Sequence, residues 1–306
     1  MDFAALPQNI VIGVQTGAIY ALIALGYTMV YGVLRLINFA HGEVYMVGAY
    51  LAYYTGMVWL NHEAMNPWVV LTLMLLFAMT GCALLGIAIE RFAYRPLRSA
   101  PRISLLITAI GVSLFIQYAG RLFFRTSPQP SIVEDINPLS GRTFNVAGVV
   151  LDMSRLTVLV VTLVLMVLLW YVVTKTQTGR AMRAVSHDFD TASLMGVNVN
   201  RIVVVTFLIG SALAGAGGML NATALGTPLN TFYGLLPGVK AFTAAVLGGI
   251  GNIPGAVVGG LIIGLLEALV VWSGYAGYQD AVAFLVLIII LLFRPGGLFG
   301  STMEKV

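Results

Sequence analysis

A few side chains stand where they could do chemistry. In "INFAHGE", Asn38, His41 and Glu43 lie at the head of an apolar run, Lys240 lies near the head of another, and Glu267 sits in "LLEAL" inside a third. Asn252, just before Pro254, interrupts the glycine-rich stretch between the last two. A histidine and a glutamate two residues apart raise a metal site or a general acid–base pair. On a helix, however, positions i and i+2 face different ways, and the chain holds only three histidines, so neither chemistry finds a second set of groups. The sole cysteine, Cys82, rules out an internal disulfide and a cysteine-based metal cluster. No catalytic residue and no metal ligand is assigned. An ionised group in an apolar segment is costly, and it ordinarily faces a bundle interior or a wet pathway with a partner nearby. Asn38, His41, Glu43, Lys240, Asn252 and Glu267 are therefore the candidates for a substrate path, with Lys240 and Glu267 as a candidate ion pair. Tyr20, Tyr27 and Tyr45, with small glycines and threonines, are candidates to line it.

A second set of polar groups lies in "GRAMRAVSHDFDTASLMGV", residues 179 to 197. Asp188 is placed to cap a short helix by accepting from the free N–H groups of its first turn, and Gly196 is placed to end it in the left-handed conformation. Upstream, "GRAMRAV" reads as an amphipathic helix with Ala181, Ala184 and Val185 on one face and Arg180 and Arg183 on the other. A mere linker needs neither a cap nor a glycine stop. A short helix that docks in another protein's groove needs both, together with an apolar face, here Phe189, Ala192 and Met195.

The elements that hold these groups must be membrane helices. Of the 306 residues, 59% are hydrophobic and only 9% charged, with a mean hydropathy of +0.95, whereas a soluble domain carries roughly 25% charged residues. Several apolar stretches reach the ~20 residues needed to cross a hydrocarbon core. "LTVLVVTLVLMVLLWYVV" has no period of two, which excludes a membrane β-barrel. The class is an all-α polytopic membrane protein. Helices are expected near 8 to 33, 43 to 60, 67 to 90, 103 to 121, 156 to 174, 202 to 222, 238 to 248, 254 to 272 and 280 to 293. The piece at 238 to 248 is too short to cross alone, giving eight spans plus a half-span in one transmembrane domain, residues 1 to 306. The N-terminus has no basic region ahead of its first apolar run, so that helix is expected to be retained.

Basic residues near helix ends set sidedness. Arg91, Arg95, Arg98 and Arg102 in one loop, and Lys175, Arg180, Arg183 and Arg201 around the polar stretch, place both loops on the cytoplasmic side, joined by two intervening spans. The loop at about 175 to 201 is then cytoplasmic and the loop at about 122 to 155 external, although the latter's basic residues are offset only by Glu134, Asp135 and Asp152. The net charge of +4 suits basic loops resting on anionic lipid, and the scatter of those residues gives no nucleic-acid face. Gly251, Gly255 and Gly259, four residues apart, allow close helix packing, and the break at Asn252 to Pro254 requires protein or a wet cavity to satisfy the freed backbone.

"DTASLMG" (Asp190, Thr191, Ala192, Gly196) is similar in spacing to the EAA-x-x-x-G loop of ABC-importer permeases, with Asp for Glu and Thr for the first Ala. With "TGRAMRAVSHDFDTASLMGVNVNRI", "IYALIALGYTMVYGVLRLINFAHGEVYMVGAY" and "VKAFTAAVLGGIGNIPGAVVGGLIIGLLEAL", the chain resembles the branched-chain amino acid ABC permeases of the LivH type. The resemblance implies a type II-like importer permease in the bacterial inner membrane. It further implies a second homologous permease subunit, two cytoplasmic ATPase subunits that use ATP and Mg, and a periplasmic amino-acid-binding protein. Arg180, Arg183, Asp188, Phe189, Asp190, Ala192, Met195 and Gly196 would then be the ATPase-coupling residues. The chain has no G-x-x-x-x-G-K-[ST] loop, and none of Lys175, Lys240 and Lys305 follows a glycine, so no cofactor is expected on this chain. Rival readings are a urea or amide permease of the same family, an ion-coupled secondary transporter using the broken helix, and a structural scaffold.

Overall fold

The computed structural model describes residues 5–60, 65–98, 100–124, 137, 140–146, 149–224 and 228–300. The helices are α1 (Leu6–Leu34), α2 (His41–Tyr54, prolonged by a wider turn over Thr55–Trp59), α3 (Pro67–Ile89, wound on through Leu97) and α4 (Arg102–Phe123). A hairpin of β1 (Thr143–Val146) and β2 (Val149–Asp152) follows, pairing Thr143 with Asp152 in antiparallel register. Then come α5 (Met153–Lys175), α6 (Gln177–His187), α7 (Phe189–Leu194), α8 (Val199–Ala224), α9 (Leu235–Gly248), α10 (Ile253–Trp272) and α11 (Gln279–Phe293). Several of these helices start on a short polar side chain that accepts from the free N–H groups of the first turn. Asn66 takes Trp68 N at 3.0 Å, Asp152 takes Ser154 N at 2.8 Å and Thr176 takes Gly179 N at 3.1 Å.

Among the described residues, seven helices are long and apolar enough to cross a bilayer: α1, α3, α4, α5, α8, α10, and α11 together with the turn that leads into it from Ala276. The bundle is built around α1 and α8. Of the central stretch of each, 72% is buried, against 11% for α11. Lipid supplies no hydrophobic drive between helices, so close approach has to come from small residues. Gly13 and Gly17 of α1 pack against the backbone of α10 at Gly264 and Gly260, and Gly48 of α2 lies on Gly215 of α8. The glycine spacing noted in the sequence is thus packing: Gly255 and Gly259 of α10 seat the backbone of α9 at Gly248 and Ala244. Large apolar side chains such as Ile107, Phe115 and Leu122 on α4 and Leu163 and Val167 on α5 face outward.

The expected second span differs from the observed one. The head of α2 does not lie at a bundle end: the imidazole of His41 occupies the space beside Gly26 of α1, eight residues before Leu34, or about 12 Å in from that end of the helix. Residues 35 to 40 therefore turn back into the bundle before α2 begins. From there α2 runs toward the far end of α4, where Tyr50 stacks on Phe124 with ring centroids 4.2 Å apart. The half-span expected at 238 to 248 is α9, a 14-residue helix whose head meets that of α2. A Cβ on Gly238 would stand 2.9 Å from the Gly42 Cα. α9 runs the opposite way, toward the end of α1, so two half-helices start at one point inside the bundle and leave in opposite directions. The period of an apolar run carries no depth, which is why the sequence shows one half-span and hides the other.

The break at Asn252 to Pro254 is a reversal. Gly249 and Gly251 both hold φ of +98°, and the chain returns antiparallel as α10, capped by Asn252, whose Oδ1 accepts from Gly255 N at 2.9 Å.

Candidate functional site

The two arginine loops meet at one end of the bundle, as their charge pattern requires. Arg98 Nη1 donates to Asn200 Oδ1 at 2.6 Å, and Arg35 Nη2 donates to the Ser186 carbonyl at 3.4 Å. The β-hairpin lies at the other end, tied to the start of α1 by Gln8, whose side chain donates to Val150 O at 3.0 Å and accepts from Val150 N at 2.8 Å. In the segment at about 122 to 155, Glu134 and Asp135 lie outside the described residues.

At the basic end, the polar stretch forms α6 and α7. On α6 the buried side is Gly179, Met182 and Val185; Arg180 and Arg183 face out, Arg183 also donating to the Val173 carbonyl. Ala184, expected on the apolar face, is exposed, and Met182 takes that position because it lies three residues from both Gly179 and Val185. Asp188 caps α7, accepting from Thr191 N at 2.6 Å. This hydrogen bond holds its carboxyl below the usual carboxylate range. Gly196 ends the helix with φ of +83°, donating to the Ser193 carbonyl at 3.0 Å. The expected apolar face divides in two. Ala192 is buried against its own chain, while Phe189 lies at the rim and Leu194 and Met195 are 88% and 80% exposed. Asp190 is exposed. Leu194 was not among the residues singled out from the sequence; its place one residue before Met195 at the helix end is the only signal it gives.

The intramembrane candidates separate into three places. Lys240 and Glu267 form the expected pair, Nζ to Oε1 at 2.8 Å, both nearly fully buried. Tyr20 completes it, its hydroxyl donating to Glu267 Oε2 at 2.9 Å and accepting from Lys240 Nζ at 3.2 Å. A further carboxylate joins them: Asp280 Oδ1, on the first turn of α11, is 2.6 Å from Lys240 Nζ, with a side chain 43% exposed. Asp280 gave no sequence signal, because an acidic residue at a helix start ordinarily answers the helix dipole, and its link to Lys240 spans 40 positions. Tyr20, Lys240 and Asp280 border a cavity of about 390 Å³ that opens away from the basic end and is also lined by Tyr45, Asn221 and Tyr233, while Glu267 lies behind Lys240 outside its lining.

His41 and Glu43 go to different neighbours, as their spacing predicts. His41 stands edge-on to the Tyr27 ring at 4.6 Å, and Glu43 Oε1 accepts from Ser113 Oγ at 3.2 Å. Asn38 braces the returning loop, accepting from Ala40 N and from the Tyr94 hydroxyl, each at 3.1 Å. Asn252 sits at the basic end, where Nδ2 donates to the Phe299 carbonyl at 3.1 Å. Of the tyrosines, Tyr20 and Tyr45 line the cavity; Tyr27 packs between His41 and Phe242.

A bundle of spanning helices around a charged internal cavity, with a short capped helix exposed at its basic end, defines a multi-pass membrane transport subunit. The chain matches the family of permease components of branched-chain amino acid transport systems over residues 9–291, and it belongs to that family. It is 42% identical over 98% of its length to the high-affinity branched-chain amino acid transport system permease protein BraD of Pseudomonas aeruginosa, covering 97% of that protein. The permease protein LivH of Escherichia coli is 40% identical over 100% of this chain and 99% of its own. A probable LivH of Methanocaldococcus jannaschii is 29% identical over 93% of this chain and 89% of its own. No solved structure matches. The chain is a multi-pass inner-membrane permease.

Proposed function

We propose that this chain is the membrane permease of an ATP-driven importer of branched-chain amino acids. A periplasmic binding protein delivers the amino acid, a second permease completes the passage, and two cytoplasmic ATPase subunits hold ATP and Mg. The observation that carries the coupling role is α7. It is capped at one end and stopped by glycine at the other, with Leu194 and Met195 displayed to the outside at the arginine-rich end. Apolar side chains held out on a short fixed helix fit a groove on another protein. Beneath it, α6 packs on the ends of α1, α5 and α8, so a push on α7 reaches the spanning helices through packed contacts. The peg carries force and performs no chemistry.

The test is reconstitution. Proteoliposomes holding this chain with its partner permease and ATPases, given the binding protein and ATP, should accumulate leucine, isoleucine or valine. Flux of leucine down an ion gradient through this chain without ATPases would sink the reading and favour an ion-coupled transporter.

A further inference from the structure

We propose that the cavity beside Lys240 is a weak docking site for a zwitterion, entered by exchange with an ion pair already in place; the assignment rests on the import reading above. Lys240 is shared between the carboxylates of Glu267 and Asp280. The two partners are unequal. Glu267 is buried and held by the Tyr20 hydroxyl, whereas Asp280 is nearly half exposed at the cavity wall. Only the Lys240–Asp280 contact can open without stranding a charge inside the protein.

An amino acid backbone fits that opening by charge. Its carboxylate replaces Asp280 on Lys240 Nζ, and its ammonium group takes the released Asp280 carboxylate. Lys240 keeps Glu267, and since the incoming molecule is neutral overall the net charge of the site is unchanged. A ligand with only a carboxylate would leave Asp280 unpaired, and one with only an ammonium group would compete with Lys240 for Asp280. The cavity, about 390 Å³, lies in the range of small-molecule sites, and Ile19, Phe232 and Leu236 give it an apolar wall for an aliphatic side chain. The two pairs formed with the cargo are offset by the one internal pair broken and by the water stripped from both charges of the amino acid, which keeps binding weak and lets the cargo leave.

Leu236, 45% exposed in the first turn of α9, reports on occupancy when changed to cysteine, because native Cys82 is fully buried. In the reconstituted importer, Leu236→Cys is labelled with a membrane-impermeant maleimide in the presence of millimolar L-leucine, 4-methylpentanoate or leucinamide. Leucine should slow labelling at least threefold, and the two compounds lacking one charge should not. Asp280→Asn should remove the protection and Asp280→Glu restore it. Equal protection by all three compounds, or protection unchanged in Asp280→Asn, overturns the exchange. Labelling indifferent to leucine in a preparation that still imports leucine overturns the site and leaves the import reading standing. Protection by leucine without ATP-driven import does the reverse.

Discussion

The carbonyl oxygen of Gly42 occupies the place that a side chain on Gly234 would need, so the heads of α2 and α9 close on each other backbone to backbone. The arrangement brings the positive ends of two helix dipoles together inside the bundle. Glu43, in the first turn of α2, puts a carboxylate beside them. Neither position can take a side chain without pushing the half-helices apart. Gly234→Ala and Gly42→Ala should each destabilise the protein by about 1–3 kcal/mol, the usual range for overpacking. Thermal unfolding in detergent reads this directly. Gly111→Ala, on α4 with open space around it, is the control and should be neutral or slightly stabilising by up to about 1 kcal/mol through helix propensity.

The Lys240–Glu267 pair should behave as a unit. Removing one partner of a buried pair leaves an uncompensated charge and costs about 3–5 kcal/mol, while removing both together costs much less. Lys240→Met should therefore lower the melting temperature sharply, and Lys240→Met with Glu267→Gln should recover most of the loss. Additive losses in the double variant would show that the two groups are held separately by other partners.

The cap on α7 fixes a pH response. Asp188 accepts from the Thr191 amide more strongly as a carboxylate than as a neutral acid, and its folded pKa lies below the usual value. A depressed carboxylate contributes stability that is fully present above its unfolded pKa of about 3.9 and is lost as pH falls through the lower folded value. Copurification of the ATPases should thus show no step from this group between neutral pH and about pH 5. Asp188→Asn, an equally good cap, should retain assembly, and Asp188→Ala should weaken it. A step near neutral pH that disappears in Asp188→Asn would contradict the assignment.

The sequence made some of this legible for reasons that can be stated residue by residue. Caps and stops are local chemistry, so Asp188 and Gly196 could be read where they stand; Asn252, read as a break and a path candidate, proved to be a cap at the basic end. The Lys240–Glu267 pair was legible because two opposite charges in apolar helices need each other. Asp280 was not, since nothing local separates a dipole-matching acid from one that reaches across to another helix. The starting depth of α2 was hidden for a related reason: Gly42 and Gly234 are ordinary glycines until the fold brings them together. On α7, periodicity grouped Ala192 with Met195, but six residues are too few to define one face, and contact with the parent bundle took Ala192 inward.

That division of α7 makes the coupling role testable with substitutions on both of its sides. Leu194 and Met195 touch little of their own chain, so Leu194→Asp or Met195→Asp should leave expression and melting temperature unchanged. Each should abolish copurification with the ATPases, because a charge would be carried into an apolar groove without a partner. Phe189→Asp, at the rim, should have the same effect. Ala192→Asp attacks the inner side and should lower the stability of the chain itself, since it would bury a carboxylate against its own bundle. Gly196→Val acts through the backbone: at φ of +83° a residue with a side chain pays about 1–2 kcal/mol, more when β-branched. The helix end should shift and assembly should fail while membrane insertion persists. Pull-down of the ATPases from solubilised membranes, paired with melting curves of the isolated permease, separates the two sides. If Leu194→Asp and Met195→Asp bring down the ATPases as well as the unaltered chain does, α7 is a surface helix resting at the membrane and the force must enter elsewhere.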